Sequence, residues 1–164
     1  MLRTGFVFVA ALAAMLAAGA AEFDSALPVW PEGETETLNA FFTFRCEFDA
    51  ASGDDVRLRA TAGYVYKARL NGGFAAFGPA RTTPGFFRVD EWSLSPKAGN
   101  NVVEIDVAGY NCPNFYFAKQ TPFLQAELLV NGKVVAATAT LSWRRNPDGS
   151  IGVKAELPDG WSKK

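Results

Sequence analysis

From Phe41 onward, apolar and polar side chains alternate in runs of strand length, and no stretch beyond the first apolar segment keeps a helical period. Phe41 to Phe48 puts Phe42, Phe44, Cys46 and Phe48 on one face, with Arg45 and Glu47 on the other. Val56 to Ala62 repeats the pattern. Val56, Leu58, Ala60 and Ala62 point inward and Arg57, Arg59 and Thr61 outward, as in a half-buried antiparallel strand. Further strands are expected over Tyr64 to Leu70, Phe74 to Phe77, Phe86 to Leu94 and Asn101 to Ala108. In the last of these Val103, Ile105 and Val107 face inward, and Glu104 and Asp106 outward. Pro122 to Val130 carries Leu124, Ala126, Leu128 and Val130 on its inner face. Lys133 to Thr140, Leu141 to Arg145 and Ser150 to Glu156 follow.

The punctuation between these runs is that of antiparallel hairpins. Asn71-Gly72 and Asn131-Gly132 suit type I′ turns, which need positive φ at both central residues. Pro79 cannot donate to a ladder and ends the strand before it, as Ser95-Pro96 ends another. Ser52-Gly-Asp-Asp55 and Asn146-Pro-Asp-Gly149 read as turns. About nine short strands at this spacing predict an all-β fold, an antiparallel β-sandwich. Residues 41–140 form the sandwich, 21–40 a polar, Pro- and Gly-punctuated irregular lead-in, and 141–164 a C-terminal hairpin or tail.

Residues 1–20 read as a signal peptide. Arg3 supplies the positive start, Thr4 to Ala21 is uncharged, and Ala18-Gly19-Ala20 offers a small-x-small cleavage site. A retained membrane anchor is the competing reading, since the run is just long enough to span a bilayer. Its alanine richness favours cleavage, and with it export to the periplasm or the extracellular space without further membrane contact. Export permits a Cys46–Cys112 disulfide. A buried free thiol at Cys46, on the phenylalanine face, is the other reading.

The chain has 164 residues, a net charge of −1 and no histidine. One domain with a proper core fits that length. The balanced charge offers no basic field to nucleic acid. Without histidine, Ser-His-Asp and Cys-His catalysis and imidazole-bound zinc are excluded. Glu104 and Asp106 share a strand face about 6.5 Å apart by strand rise, a separation seen between glycosidase carboxylates. Their outward position on a regular strand reads better as solvated surface. Asp54-Asp55 and Asp90-Glu91 offer oxygen ligands to calcium, but neither pair sits in an EF-hand loop.

Rings unaccounted for by strand alternation are the stronger lead. Exposed aromatics stack on the apolar face of a sugar while Asn, Arg and Asp bond its hydroxyls. Tyr110, Asn111, Phe115 and Tyr116 lie in one loop, with Trp92 on a neighbouring run. Arg81 sits in a turn-rich connection, able to bond a ligand or to pin the loop to Asp90. These seven residues are the ligand-binding candidates, although plugging the end of the sandwich is the preferred reading of the rings and pinning the loop to Asp90 that of Arg81.

Leu70-Asn-Gly, Gly78-Pro-Ala-Arg81, Phe87-Arg-Val-Asp-Glu-Trp92, Gly99-Asn-Asn-Val-Val103, Ala108-Gly-Tyr-Asn111 and Phe123-Leu-Gln-Ala-Glu127 occur in this order. In this the chain resembles bacterial α-L-rhamnosidase-like glycoside hydrolases, specifically their N-terminal non-catalytic β-sandwich, a galactose-binding-like jelly roll. The resemblance covers about Phe42 to Thr138, and the segment after Thr140 departs from it. It implies an exported accessory module that binds carbohydrate, such as a rhamnose-containing glycan, or supports a glycoside hydrolase catalytic domain absent from this chain. A purely structural packing module or a truncated fragment is the alternative, and a stand-alone hydrolase the third reading. In that family catalysis belongs to a separate helical barrel, so no catalytic residue is carried over. Some related sandwiches bind rhamnose through calcium, but no full ligand set matches here. No other cofactor is implied.

Overall fold

The computed structural model describes residues 21–83, 85–113 and 115–138, with the backbone alone over 140–145, 151–156 and 161–163. The expected signal segment and the Asn146 to Gly149 turn lie outside the described residues. The described chain is all-β: β1 (Ala40–Ala50), β2 (Val56–Ala62), β3 (Val65–Leu70), β4 (Gly73–Gly78), β5 (Asp90–Leu94), β6 (Gly99–Gly109), β7 (Leu124–Val130), β8 (Lys133–Ala137), β9 (Thr140–Arg145), β10 (Ile151–Glu156) and β11 (Trp161–Lys163).

Two antiparallel sheets stack into a sandwich, one ordered β11-β1-β6-β3-β4 and the other β5-β2-β7-β8, while β9 and β10 make a separate hairpin. The chain changes sheet at β1–β2, β2–β3, β4–β5, β5–β6 and β6–β7, a jelly-roll-like winding. The longest ladder runs from Ala40↔Gly109 to Ala50↔Gly99. Inner faces are those the alternation predicts: Phe44, Cys46, Val103, Ile105 and Val107 from one sheet, joined by Tyr66, meet Val56, Leu58, Ala60, Leu124, Ala126 and Leu128 from the other. Alanines and leucines of the second sheet fit between the Phe44 and Tyr66 rings and the aliphatics of the first, which lets the layers close to interior density. Each fully buried Leu or Ile adds about 2 kcal/mol.

Both Asn-Gly turns form as expected, with φ of 51° and 82° at Asn71 and Gly72 and 51° and 75° at Asn131 and Gly132. Three expectations change. The strand anticipated from Phe86 begins only at Asp90, because Phe86 N–H closes a turn on Thr83 O (3.0 Å) with Gly85 at φ 86°. The strand expected to run on to Thr140 stops at Ala137. There the Thr138 hydroxyl, not a carbonyl, accepts from Ala126 N–H (3.0 Å), and Thr138 O accepts from Leu27 N–H (2.7 Å). Third, Arg59 and Thr61 face outward but are covered.

Over Arg59 lies the lead-in, irregular as expected but firmly docked. Val29 bridges Leu124 by a reciprocal pair of backbone bonds (2.8 and 2.9 Å), and Gln125 Nε2 donates to Ala26 O (2.7 Å). Beneath it Glu127 is 0% exposed. Its carboxylate accepts from the backbone N–H groups of Asp24, Ser25 and Ala26 (3.1–3.4 Å) and pairs with Arg59 Nη1 at 3.1 Å. A buried charge persists only when so fully bonded.

Both cysteines are free thiols. Cys46 pairs with Val103, and β6 runs on to Gly109, about 20 Å further at the usual strand rise, before Cys112 is reached. A bridge needs Cα atoms about 5.5 Å apart. Burial pushes the Cys46 thiol up to about 12.

Candidate functional site

One end of the sandwich is made by the β2–β3 turn and by the long β4–β5 and β6–β7 connections. Between them opens a cavity of about 440 Å³. Ala62, Gly63 and Tyr64 form its floor, Pro79 to Thr83 with Phe86 and Phe87 one wall, and Pro113 with Phe115 to Ala118 and Gln120 the other. The sequence folds this way because neither connection can pair. Pro79 closes β4, and the turn at Gly85 lifts Phe86 and Phe87 out of the ladder that resumes at Asp90.

Gly63 lets the second wall come close. Its N–H donates to Phe123 O at 3.0 Å, and a Cβ there would stand 2.8 Å from Thr121 O. The Tyr64 hydroxyl fastens the same wall, donating to Gln120 O (2.8 Å) and accepting from Gln120 N–H (3.0 Å). Rings then brace one another. Phe117 stacks on Tyr110 at 5.4 Å, Tyr64 meets both edge-on at 5.6 Å, and Phe87 meets Phe123 edge-on at 4.8 Å. Phe115 and Phe86 remain 91% and 71% exposed, with Tyr116 and Phe87 partly so.

Of the seven sequence candidates, Arg81, Phe115 and Tyr116 are brought together at the cavity. Tyr110 stands behind Phe117 and instead lines a second hollow, about 320 Å³, on the outer face of the five-stranded sheet beside Phe41, Val65 and Phe77. Asn111 is buried, takes a φ of 50° and donates to Thr35 O at 2.9 Å. It shapes the chain leaving β6. Asp90 and Trp92 belong to a separate buried chain in which Trp92 Nε1 donates to the Tyr66 hydroxyl (2.9 Å) and that hydroxyl donates to Asp90 (3.0 Å). Burial keeps the Tyr66 phenol well above its ordinary value.

Asp90 is therefore not the anchor for Arg81; Arg88 Nε takes that place at 2.9 Å. Arg88 stands two residues before Asp90, where β5 begins, so the nearer neighbour wins over one nine residues away. Phe86, Phe87, Thr82 and Thr83 were missed as lining residues. The signal was there in Thr82-Thr-Pro-Gly85, a turn that removes the next residues from the strand.

The other acidic pairs are committed elsewhere. Asp106 accepts from Thr43 Oγ1 (2.7 Å) and pairs with Arg69 (2.9 Å) and Lys67 (3.7 Å), and Glu104 lies 3.4 Å from Arg69. Asp54 accepts from Ala51 N–H and Asn131 Nδ2, and Asp55 pairs with Arg57. Glu91 holds both Arg57 and Arg59 at 2.7 Å, and hydrogen bonds from Arg59 and then Arg57 keep its carboxyl below the ordinary value. Among the described residues no three Asp, Glu or Cys side chains converge.

Fold and site together define an antiparallel β-sandwich module with an aromatic hollow at its loop end. The fold is shared with part of the GH78 family rhamnosidase of Bacillus sp. GL1: TM-score 0.61 and 24% identity, over 84% of this chain but 18% of that enzyme. An α-L-rhamnosidase from Aspergillus terreus matches at TM-score 0.50 and 20% identity, over 85% of this chain and 16% of its own. The resemblance read from the sequence holds at the level of the fold, and the chain spans under a fifth of either enzyme. No protein-family model matches the sequence, and no curated protein matches it.

Proposed function

We propose that the chain is an exported, non-catalytic accessory module of the α-L-rhamnosidase type, which binds a rhamnose-containing glycan through its loop-end cavity. The observation that carries this reading is the exposed pair Phe115 and Tyr116 beside Arg81, on a sandwich whose fold recurs as a small part of rhamnosidases. Aromatic faces take up the C–H face of a sugar, while guanidinium and amide groups bond its hydroxyls. Absence of catalysis is supported by the lack of histidine and by Glu104 and Asp106 being bound to basic side chains.

Calorimetry with a rhamnosyl oligosaccharide tests the reading. The expected dissociation constant is on the order of 0.1–1 mM for so open a site. Replacing Phe115 and Tyr116 together by Ala abolishes binding while leaving the melting temperature within a degree or so, because exposed side chains contribute little to stability. No heat from any rhamnosyl ligand at about 10 mM sinks the rhamnose assignment.

A second reading, packing against a catalytic domain, rests on Phe41, Phe74 and Phe77, which stand exposed on the outer face of the five-stranded sheet. A rhamnosidase barrel supplied in trans then binds the chain, and Phe41→Ser with Phe77→Ser prevents it. Retention of binding in that double variant rejects this surface.

A further inference from the structure

We infer that the ligand of the loop-end cavity carries a carboxylate, making it an acidic saccharide with a uronate residue at the Arg81 position. This rests on the carbohydrate reading and narrows it. Among the described arginines, Arg45, Arg57, Arg59, Arg69 and Arg88 each have a carboxylate partner: Glu47, Asp55 with Glu91, Glu91 with Glu127, Asp106 and Asp90 respectively. Arg81 has none among the described residues, and it is the one that lines the cavity. Among the described residues no acidic side chain and no second cation line the cavity with it.

A sugar hydroxyl both donates and accepts, so a site for a neutral sugar is best served by acceptors such as carboxylates beside its donors. This lining is instead a cation among aromatic rings, with Thr82, Thr83 and Gln120 as its polar neighbours. Its electrostatic complement is an anion. A guanidinium presents parallel N–H groups that match the two oxygens of a carboxylate, and stacked rings lower the local dielectric around such a pair. The Thr82 hydroxyl already donates to Phe86 O, so the β4–β5 wall holds its shape without a bond from Arg81. The guanidinium is left for the ligand.

The experiment is calorimetry on the whole chain with methyl β-D-glucuronoside, its uncharged glucoside counterpart, a sulfated glycoside and a rhamnosyl oligosaccharide, at low and high salt. The glucuronoside is expected to bind at least about tenfold more tightly than the glucoside, as one charge-assisted bond allows. That advantage shrinks as salt screens an open site. Arg81→Gln removes the preference and leaves weak binding of the neutral sugar, while Arg81→Lys restores part of it. Equal affinity for glucuronoside and glucoside, a preference that survives Arg81→Gln, or an Arg81-dependent preference for the sulfated glycoside alone overturns the carboxylate assignment and leaves carbohydrate binding standing. No binding of any of the four overturns the carbohydrate reading as well.

Discussion

The two ends of this sandwich are built by different chemistry. At the hairpin end, the β3–β4 and β7–β8 turns are short and asparagine side chains stitch the connections together. Asn101, fully buried, accepts from Lys97 N–H (3.0 Å) and Asn71 Nδ2 (2.9 Å) and donates to Lys97 O (2.8 Å) and Gly99 O (2.7 Å). Asn71 in turn accepts from Val102 N–H at 2.9 Å, and Asn131 accepts from Asp55 N–H at 3.0 Å. At the loop end, two long connections lean on each other through ring edges and leave Phe115, Phe86 and Arg81 facing solvent. The difference separates holding the sandwich shut from presenting a surface. Hydrogen bonds occupy the asparagines of the first end; apolar contacts without full cover leave the second open to a ligand.

The contrast can be broken most severely at Asn101. Asn101→Ala orphans two donors and two acceptors in a buried setting and is expected to cost about 2–3 kcal/mol, read from urea unfolding. Sugar affinity at the far end should not change. A loss below about 0.5 kcal/mol would show that water replaces the amide there. At the loop end, Gly63→Ala pushes Thr121 and Phe123 outward. It should cost about 1–2 kcal/mol and weaken sugar binding as well, because the displaced wall carries Phe115 and Tyr116. A destabilised variant with unchanged affinity would separate the wall from the site.

A smaller effect lies between the ends, where Glu91 holds Arg59 and Arg57 under the lead-in. Since its folded carboxyl titrates below the ordinary value, the stability it contributes is complete at neutral pH. That contribution is lost as the pH falls below about 4. Glu91→Gln should therefore flatten the acid limb of the stability curve, and an unaltered limb would remove this pair from the account. The smallest effect is on thiol labelling. Partly exposed Cys112 reacts in the native chain, whereas Cys46, its thiol pushed up to about 12 by burial, reacts only on unfolding. If neither reacts until a reductant is added, the two are bridged and the strand register is wrong.

What could be read without the structure follows the same division. Strand alternation is a local property with a period of two, so the inner faces of β1, β2, β6 and β7 were legible, as were both Asn-Gly turns, whose backbone demands only those residues meet cheaply. The all-β sandwich followed. Arg81, Phe115 and Tyr116 were legible as candidates because nothing in strand periodicity accounts for them. By contrast, the sequence offered no way to see that Glu127 lies under the lead-in, or that Arg88 rather than Arg81 holds Asp90. Nor could it separate Asn111, Asp90 and Trp92 from the cavity. Those depend on which segments meet across separations of 24 to 103 residues, or on which of two nearby cations reaches a carboxylate first. Distance in space decides such pairings, and a one-dimensional pattern carries face and turn but not neighbourhood.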